Sequence, residues 1–266
     1  HLDMACQKNN SVDFDFDTPW IEMYVDVDWV KAKWTTLVAD NGLGVAAIMS
    51  ILESTDIAHP AIEALFTIDE ETGMTGALGL KPGQLTGEIL LNLDTEEDDE
   101  IDIGCAGGID VTASATYNFT STSQNFVKID IKGLQGGHSG MDIHKGFGNS
   151  NIILGRLLYA GISNEIQLIS IDGGGLRNAI PREAHALVAV NNTSEYLQKL
   201  ETLKSDILEE FASVEKDLEI NFATDENTEN GLSVEDSKKI ILALKSAHNG
   251  VYRMSPDVAD LVEASN

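Results

Sequence analysis

The sequence predicts an α/β protein in two parts: a region built on a parallel sheet buried on both faces, followed by an α+β region of ferredoxin-like order. Three observations carry this. The runs at 62–68 (IEALFTI) and 88–93 (EILLNL) are apolar without strict alternation, the pattern of strands covered on both sides. After Gly107-Gly108 the texture changes to period two, with Val111, Ala113, Ala115, Tyr117 and Phe119 alternating with polar residues, as do Val127, Ile129 and Ile131. From residue 126 the predicted order is β-α-β-β-α-β. The domain boundary is placed near residue 108, giving regions 1–108 and 109–266.

Within the first region, Asn41-Gly42 opens a helix whose Val45, Ile48, Met49 and Leu52 share one face. The strand at 62–68 leads to a glycine-punctuated helical stretch ending near Leu80, and Pro82-Gly83 breaks it. The strand at 88–93 then ends at Asp94. In the second region a helix is expected around Asn149–Tyr159, strands near 165–171 and 184–190, and a long amphipathic helix over 194–213 with Leu200, Leu203, Ile207 and Phe211 inward. A strand follows at 218–222. Ser233 with Asp236 reads as a capping box opening a last helix, which Asn249-Gly250 can close. The acidic run Glu96–Glu100 reads as a solvated loop.

Composition narrows the function classes. Forty-four acids against 17 bases give a formal charge of −27 over 266 residues, which argues against nucleic acid as a partner because phosphate binding needs clustered Lys and Arg. Hydrophobic residues make up 42% and mean hydropathy is −0.08, enough apolar material for real cores, and no run approaches the length of a membrane span. Cys6 and Cys105 lie far apart without C-x-x-C pairing, which fits a reducing cytoplasm. The start, His1-Leu2-Asp3-Met4, has the look of a piece cut from a longer chain.

One stretch raises a chemical question. ALFTIDEETGMTGA (64–77) runs an apolar strand straight into Asp69, Glu70 and Glu71. Adjacent like charges raise one another's pKa, so the arrangement costs stability unless something positive sits there. It is either a solvated turn or a site where one carboxylate holds a cation while its neighbour handles a proton. Ligands of parallel α/β sheets gather beyond the carboxyl ends of the strands, and both Glu70-Glu71 and Asp94 sit there. His1-x-Asp3 places an imidazole and a carboxylate on one side of an extended segment, and Asp40 precedes a helix start. A histidine and several carboxylates at one sheet edge suit a borderline metal such as zinc.

HLDM, ADNG, DEETG and NLDTEE resemble, in order and spacing, the M20 family of metallopeptidases, and within it the aminoacyl-histidine (Xaa-His) dipeptidases. The resemblance continues through GCAGGID (104–110), KGLQGGHSGMDIH (132–144) and GGGLRNAIPREA (173–184), so it covers essentially the whole chain. It implies a zinc-peptidase-like α/β catalytic region, a ferredoxin-like lid, a small dipeptide substrate, and two divalent ions, zinc foremost with cobalt or manganese as alternatives. A cytoplasmic protein that can pair as a homodimer fits the same resemblance. Carried over by residue, it implies His1 and Asp94 on one metal, Glu71 on the second and Asp40 bridging. Glu70 then takes a proton from the attacking water and returns it to the leaving amine, and Asp3 orients the His1 imidazole. His138, which by itself reads as a turn histidine in a glycine-rich loop, matches the residue that stabilises the oxyanion. Arg177 and Asn178 match the segment contacting the substrate's carboxylate end.

Departures accompany the match. The family's catalytic domain begins before the H-x-D motif and its last metal ligand is a histidine near the C-terminus, so this piece is expected to lack one ligand and part of the sheet, and to be inactive alone. Val38 stands where relatives usually carry Gly. Two rival readings are another M20 hydrolase, such as an N-acyl amino acid deacylase or tripeptide aminopeptidase, and a non-catalytic binding relic of the fold. Retention of Glu70 argues against the relic, which needs no base.

Overall fold

The structure, a computed structural model, describes residues 1–17, 20–37, 39–95, 99, 101, 104–122, 125–225 and 230–266. Val38 lies outside the described residues, as does the acidic run 96–100 apart from Asp99, which is exposed. The chain divides into two compact units, His1–Cys105 and Ala106–Asn266.

The first unit contains an antiparallel hairpin, β1 (Met23–Asp26) with β2 (Trp29–Ala32), then helix α1 (Gly42–Glu53) and the single turn α2 (Thr75–Leu78). Helix α1 begins where the sequence places it, but its inward face differs. Gly44 is buried and Val45, Ile48 and Ile51 are half-buried, whereas Met49 and Leu52 are exposed. The strands expected at 62–68 and 88–93 run without sheet partners among the described residues, and Ile89, Leu90 and Leu91 are about 80% exposed (83%, 80% and 79%). Apolar runs record a preference for burial, but a strand exists only when a neighbour completes its ladder of N–H and C=O groups. The same reasoning applies to 111–119 in the second unit: its alternation is real, yet Val111 and Phe119 are exposed and pairing begins only at β3 (Thr120–Ser121).

The second unit follows the predicted order closely. After β3 come β4 (Asn125–Lys132), α3 (Ser150–Ala160), β5 (Gln167–Gly173), β6 (Ala184–Val190), α4 (Thr193–Phe211) and β7 (Glu219–Asp225). The four long strands form one antiparallel sheet in the order β5-β6-β4-β7. Register pairs Ile129 with Ala186 on one side and Phe222 on the other, so the odd residues Val127, Ile129 and Ile131 of β4 all face one way and are fully buried. Helix α3 meets them with Ile153, Leu154, Leu157 and Leu158, and α4 with Leu200 and Ile207. At about 1.5–3 kcal/mol for each large apolar side chain taken from water, this layer is the unit's main source of stability. Tyr196 is completely buried in it, and its hydroxyl donates to the Leu157 carbonyl at 3.1 Å, so the polar tip is satisfied.

Asn149 caps α3 by accepting from the amides of Asn151 (2.9 Å) and Ile152 (3.3 Å). β8 (Asn230–Gly231) pairs with β3, and α5 (Val234–Ser246) follows. Ser233 Oγ accepts from the Asp236 amide (3.0 Å) as the capping box predicts. Asp236 returns the contact to the Ser233 hydroxyl rather than to its backbone. Helix α5 packs on α3, making a third helix over the sheet beside the two that the ferredoxin-like order requires. The hairpin β9 (Val251–Met254) with β10 (Val262–Ser265) ends the chain and has no counterpart in the sequence reading.

Candidate metal centre

In the first unit the amino-terminal segment runs beside residue 67, with the Leu2 amide donating to the Thr67 carbonyl at 2.9 Å. This brings H-x-D against D-E-E. The Asp3 carboxylate accepts the amide of Glu70 on one oxygen and that of Glu71 on the other, both at 3.1 Å. One carboxylate therefore fixes two successive peptide units. These bonds outweigh the effect of burial and hold Asp3 below the usual carboxylate range.

Asp69 has φ +60 and accepts from the hydroxyls of Thr72 and, at 2.7 Å, Thr75. It shapes the turn from which Glu70 and Glu71 diverge. The third segment arrives through Asn41. With its amide oriented to donate to the Leu93 carbonyl (3.0 Å), the buried Asn41 ties the start of α1 to the stretch ending in Asp94. A side chain at Gly44 would collide there, because a Cβ would lie 2.2 Å from the end of the Asn41 side-chain amide and 3.0 Å from Leu93 Cβ.

These contacts converge on His1, whose side chain is 1% exposed. Its Nδ1 bonds the Asp3 carbonyl oxygen at 2.7 Å, which puts the ring proton on Nδ1 and the lone pair on Nε2. The ring is thus oriented by the Asp3 backbone, while the Asp3 carboxylate lies 3.6 Å from Nδ1. Nε2 is buried with no hydrogen-bond partner, facing Asp40 Oδ1 at 3.4 Å, Glu70 Oε2 at 3.7 Å and Asp94 Oδ1 at 3.7 Å. Two groups of potential metal ligands share His1: His1, Glu70 and Asp94, and His1, Asp40 and Glu71. Glu71 is steadied by the Ala5 amide at 3.1 Å.

The electrostatics match that crowding. Asp94 is pushed up to about 6, first by burial and then by its hydrogen bond and charge contact with Asp40. Burial also raises Glu70, with Glu71 and Asp40 adding to it, and raises Glu71, with Asp40 adding. Burial opposes charging of His1, but the Asp3 carbonyl and the charges of Asp94, Glu70 and Asp40 outweigh it and raise its pKa. A buried imidazole lone pair without a partner, faced by three carboxylates of which Glu70 and Asp94 resist ionisation, fits a site for divalent cations.

The other three predicted site residues lie in the second unit. The His138 backbone bridges to Ala179, and the Ser139 amide donates to the Asn178 carbonyl at 2.8 Å, so the GGHSG and RNAIP loops are joined. Arg177 is exposed and paired with Asp110. Sequence reasoning passed over Asn41, Ala5 and Asp110. Asn41 was in view within ADNG, and Asp110 within GCAGGID, but neither spacing shows which backbone or side chain each would meet.

A His–carboxylate cluster preceding a ferredoxin-like unit fits the M20 peptidases, and comparison with known proteins agrees. Residues 129–219 match the M20 peptidase dimerisation domain. Along its whole length the chain is 42% identical, over 271 aligned residues, to the cytosol non-specific dipeptidase of Escherichia coli (strain K12), and it spans 56% of that protein. The crystal structure of aminoacylhistidine dipeptidase from Vibrio alginolyticus covers 100% of this chain at 41% identity and a TM-score of 0.62, with 55% of that chain matched. The resemblance read from the motifs therefore holds across the chain, which spans just over half the length of these relatives. The fold class is α/β, and no helix among the described residues is long and apolar enough to cross a membrane.

Proposed function

We propose that this chain carries metal-binding and catalytic residues of a metal-dependent dipeptidase that hydrolyses Xaa-His dipeptides. The observation that carries the reading is the buried, unpartnered Nε2 of His1 facing three carboxylates at 3.4–3.7 Å. His1 and Asp94 would hold one divalent ion and Glu71 a second, with Asp40 shared. When bound, such ions lower the pKa of a water and polarise the scissile carbonyl, and zinc suits a His/carboxylate set. Glu70 is the general base. Its carboxylate takes the proton of the attacking water and returns it to the leaving amine nitrogen, and its raised pKa brings proton affinity closer to neutral pH. Asp3 keeps Glu70 and Glu71 in place through their amides. His138 donates to the oxyanion, and Arg177 and Asn178 hold the carboxylate end of the substrate. The dimerisation domain supports a homodimer.

The names of the two relatives differ in breadth, one non-specific and one directed at aminoacyl-histidine. A panel of Xaa-His dipeptides, dipeptides without histidine, tripeptides and N-acyl amino acids, assayed on the metal-loaded full-length enzyme, tests the proposal. Xaa-His dipeptides should be turned over fastest. Equal turnover of all dipeptides would replace this specificity with a broad one, and activity confined to tripeptides or N-acyl amino acids would overturn the reading.

A further inference from the structure

We propose that Asp142 is a positioning residue that presets His138 as a neutral imidazole with its proton on Nε2. The catalytic consequence rests on the oxyanion role given to His138 above; the tautomer stands on geometry alone. His138 Nδ1 accepts from two backbone amides, those of Gly140 and Met141, each at 3.1 Å. An amide N–H can only donate, so Nδ1 must present its lone pair and the proton of the neutral ring must sit on Nε2.

The turn that aims those amides is closed by Asp142. Its amide donates to the His138 carbonyl at 3.0 Å, and its Oδ2 accepts the His138 amide at 2.7 Å. Its Oδ1 accepts from Lys145 Nζ at 2.6 Å. Gly137 makes room for this carboxylate: φ is +155, and a Cβ there would lie 2.9 Å from both Asp142 Cβ and Oδ2. On the other side, the Ile180 amide donates to the Gly137 carbonyl at 2.8 Å. The turn is thereby fastened to the segment that holds Arg177 and Asn178. His138 Nε2–H has no protein partner among the described residues, and the side chain is exposed. The result is a hydrogen-bond donor fixed by its own loop and available to an acceptor on a ligand, the arrangement that stabilises developing negative charge without reorganisation.

Selective ¹⁵N labelling of histidine and long-range ¹H–¹⁵N correlation read the tautomer in the whole chain, with His138→Gln assigning the signals. The wild-type ring should show Nδ1 as an unprotonated acceptor and Nε2 as protonated. Asp142→Ala should mix the tautomers, whereas Asp142→Asn keeps an acceptor oxygen and should retain the wild-type pattern. In the active enzyme, Asp142→Ala should lower kcat with little change in KM, by less than the roughly 10²–10³-fold that follows loss of an oxyanion donor. Asp142→Asn should restore most of the rate. A wild-type proton on Nδ1, or an Asp142→Ala variant that keeps the wild-type tautomer, would overturn the proposal. A shifted tautomer with unchanged kcat would uphold the positioning and remove His138 from the oxyanion role.

Discussion

Glu70→Gln should cut turnover of the full-length enzyme by about 10²–10⁴-fold while metal content stays near that of the wild type. The amide keeps the size of the side chain but cannot accept a proton. Glu71→Gln should do the opposite first, lowering metal content, because a neutral amide is a poorer ligand for a divalent ion than a carboxylate. Distance alone does not separate the two residues. Glu70 Oε2 stands 3.7 Å from His1 Nε2, as close as Asp94, and each glutamate completes its own group around His1. What separates them is their neighbours: Glu70 groups with His1 and Asp94, whereas Glu71 groups with His1 and Asp40 and accepts the Ala5 amide at 3.1 Å. Metal analysis beside dipeptide hydrolysis checks the assignment. Loss of metal in Glu70→Gln with retention in Glu71→Gln would mean that the roles are reversed.

The second large effect is expected in the fold, at a residue that no catalytic argument singles out. Glu215 is 5% exposed, and its carboxylate accepts the amides of Gln135 (2.8 Å) and Gly148 (2.7 Å) on separate oxygens. It holds both ends of the loop in which His138 lies. Glu215→Ala leaves two amide donors without their acceptor, at about 1–3 kcal/mol for each that stays buried, so unfolding free energy should fall by roughly 2–6 kcal/mol. Glu215→Gln retains one acceptor oxygen and should lose about half as much. Urea denaturation followed by fluorescence and circular dichroism measures both. A loss below about 0.5 kcal/mol for Glu215→Ala would show that the loop is held by other contacts.

The second unit could be read from sequence because local pattern and tertiary environment agree there. The period-two residues of β4 face the layer that the helical stripes of α3 and α4 also face, so each element's pattern is satisfied by its neighbours. At 62–68, 88–93 and 111–119 the patterns are equally clear but no ladder partner meets them among the described residues. The β1–β2 hairpin escaped notice for a local reason. Its turn places Val27 at φ +56, a conformation that β-branched residues rarely adopt, so no Asn-Gly or Asp-Gly signal marks it.

At the site, the residue types were visible and their contacts were not. His1, Asp40, Glu70, Glu71 and Asp94 announce themselves as acids and an imidazole at strand and helix ends. The work of Asp3 and Asn41 runs through backbone groups, whose positions leave no trace in residue identity. Asp3 was expected to orient the imidazole through its carboxylate; its carbonyl bonds the ring and its carboxylate bonds the two glutamate amides.

Anomalous scattering at the zinc edge, from crystals of the protein equilibrated with zinc at neutral pH, tests whether the cluster around His1 holds metal. Density is expected beside His1 Nε2 within bonding distance of Asp94 and Asp40, with a second ion some 3.5–4 Å away at Glu71. His1 Nε2 with no ion within reach, and zinc bound elsewhere or not at all, would contradict it.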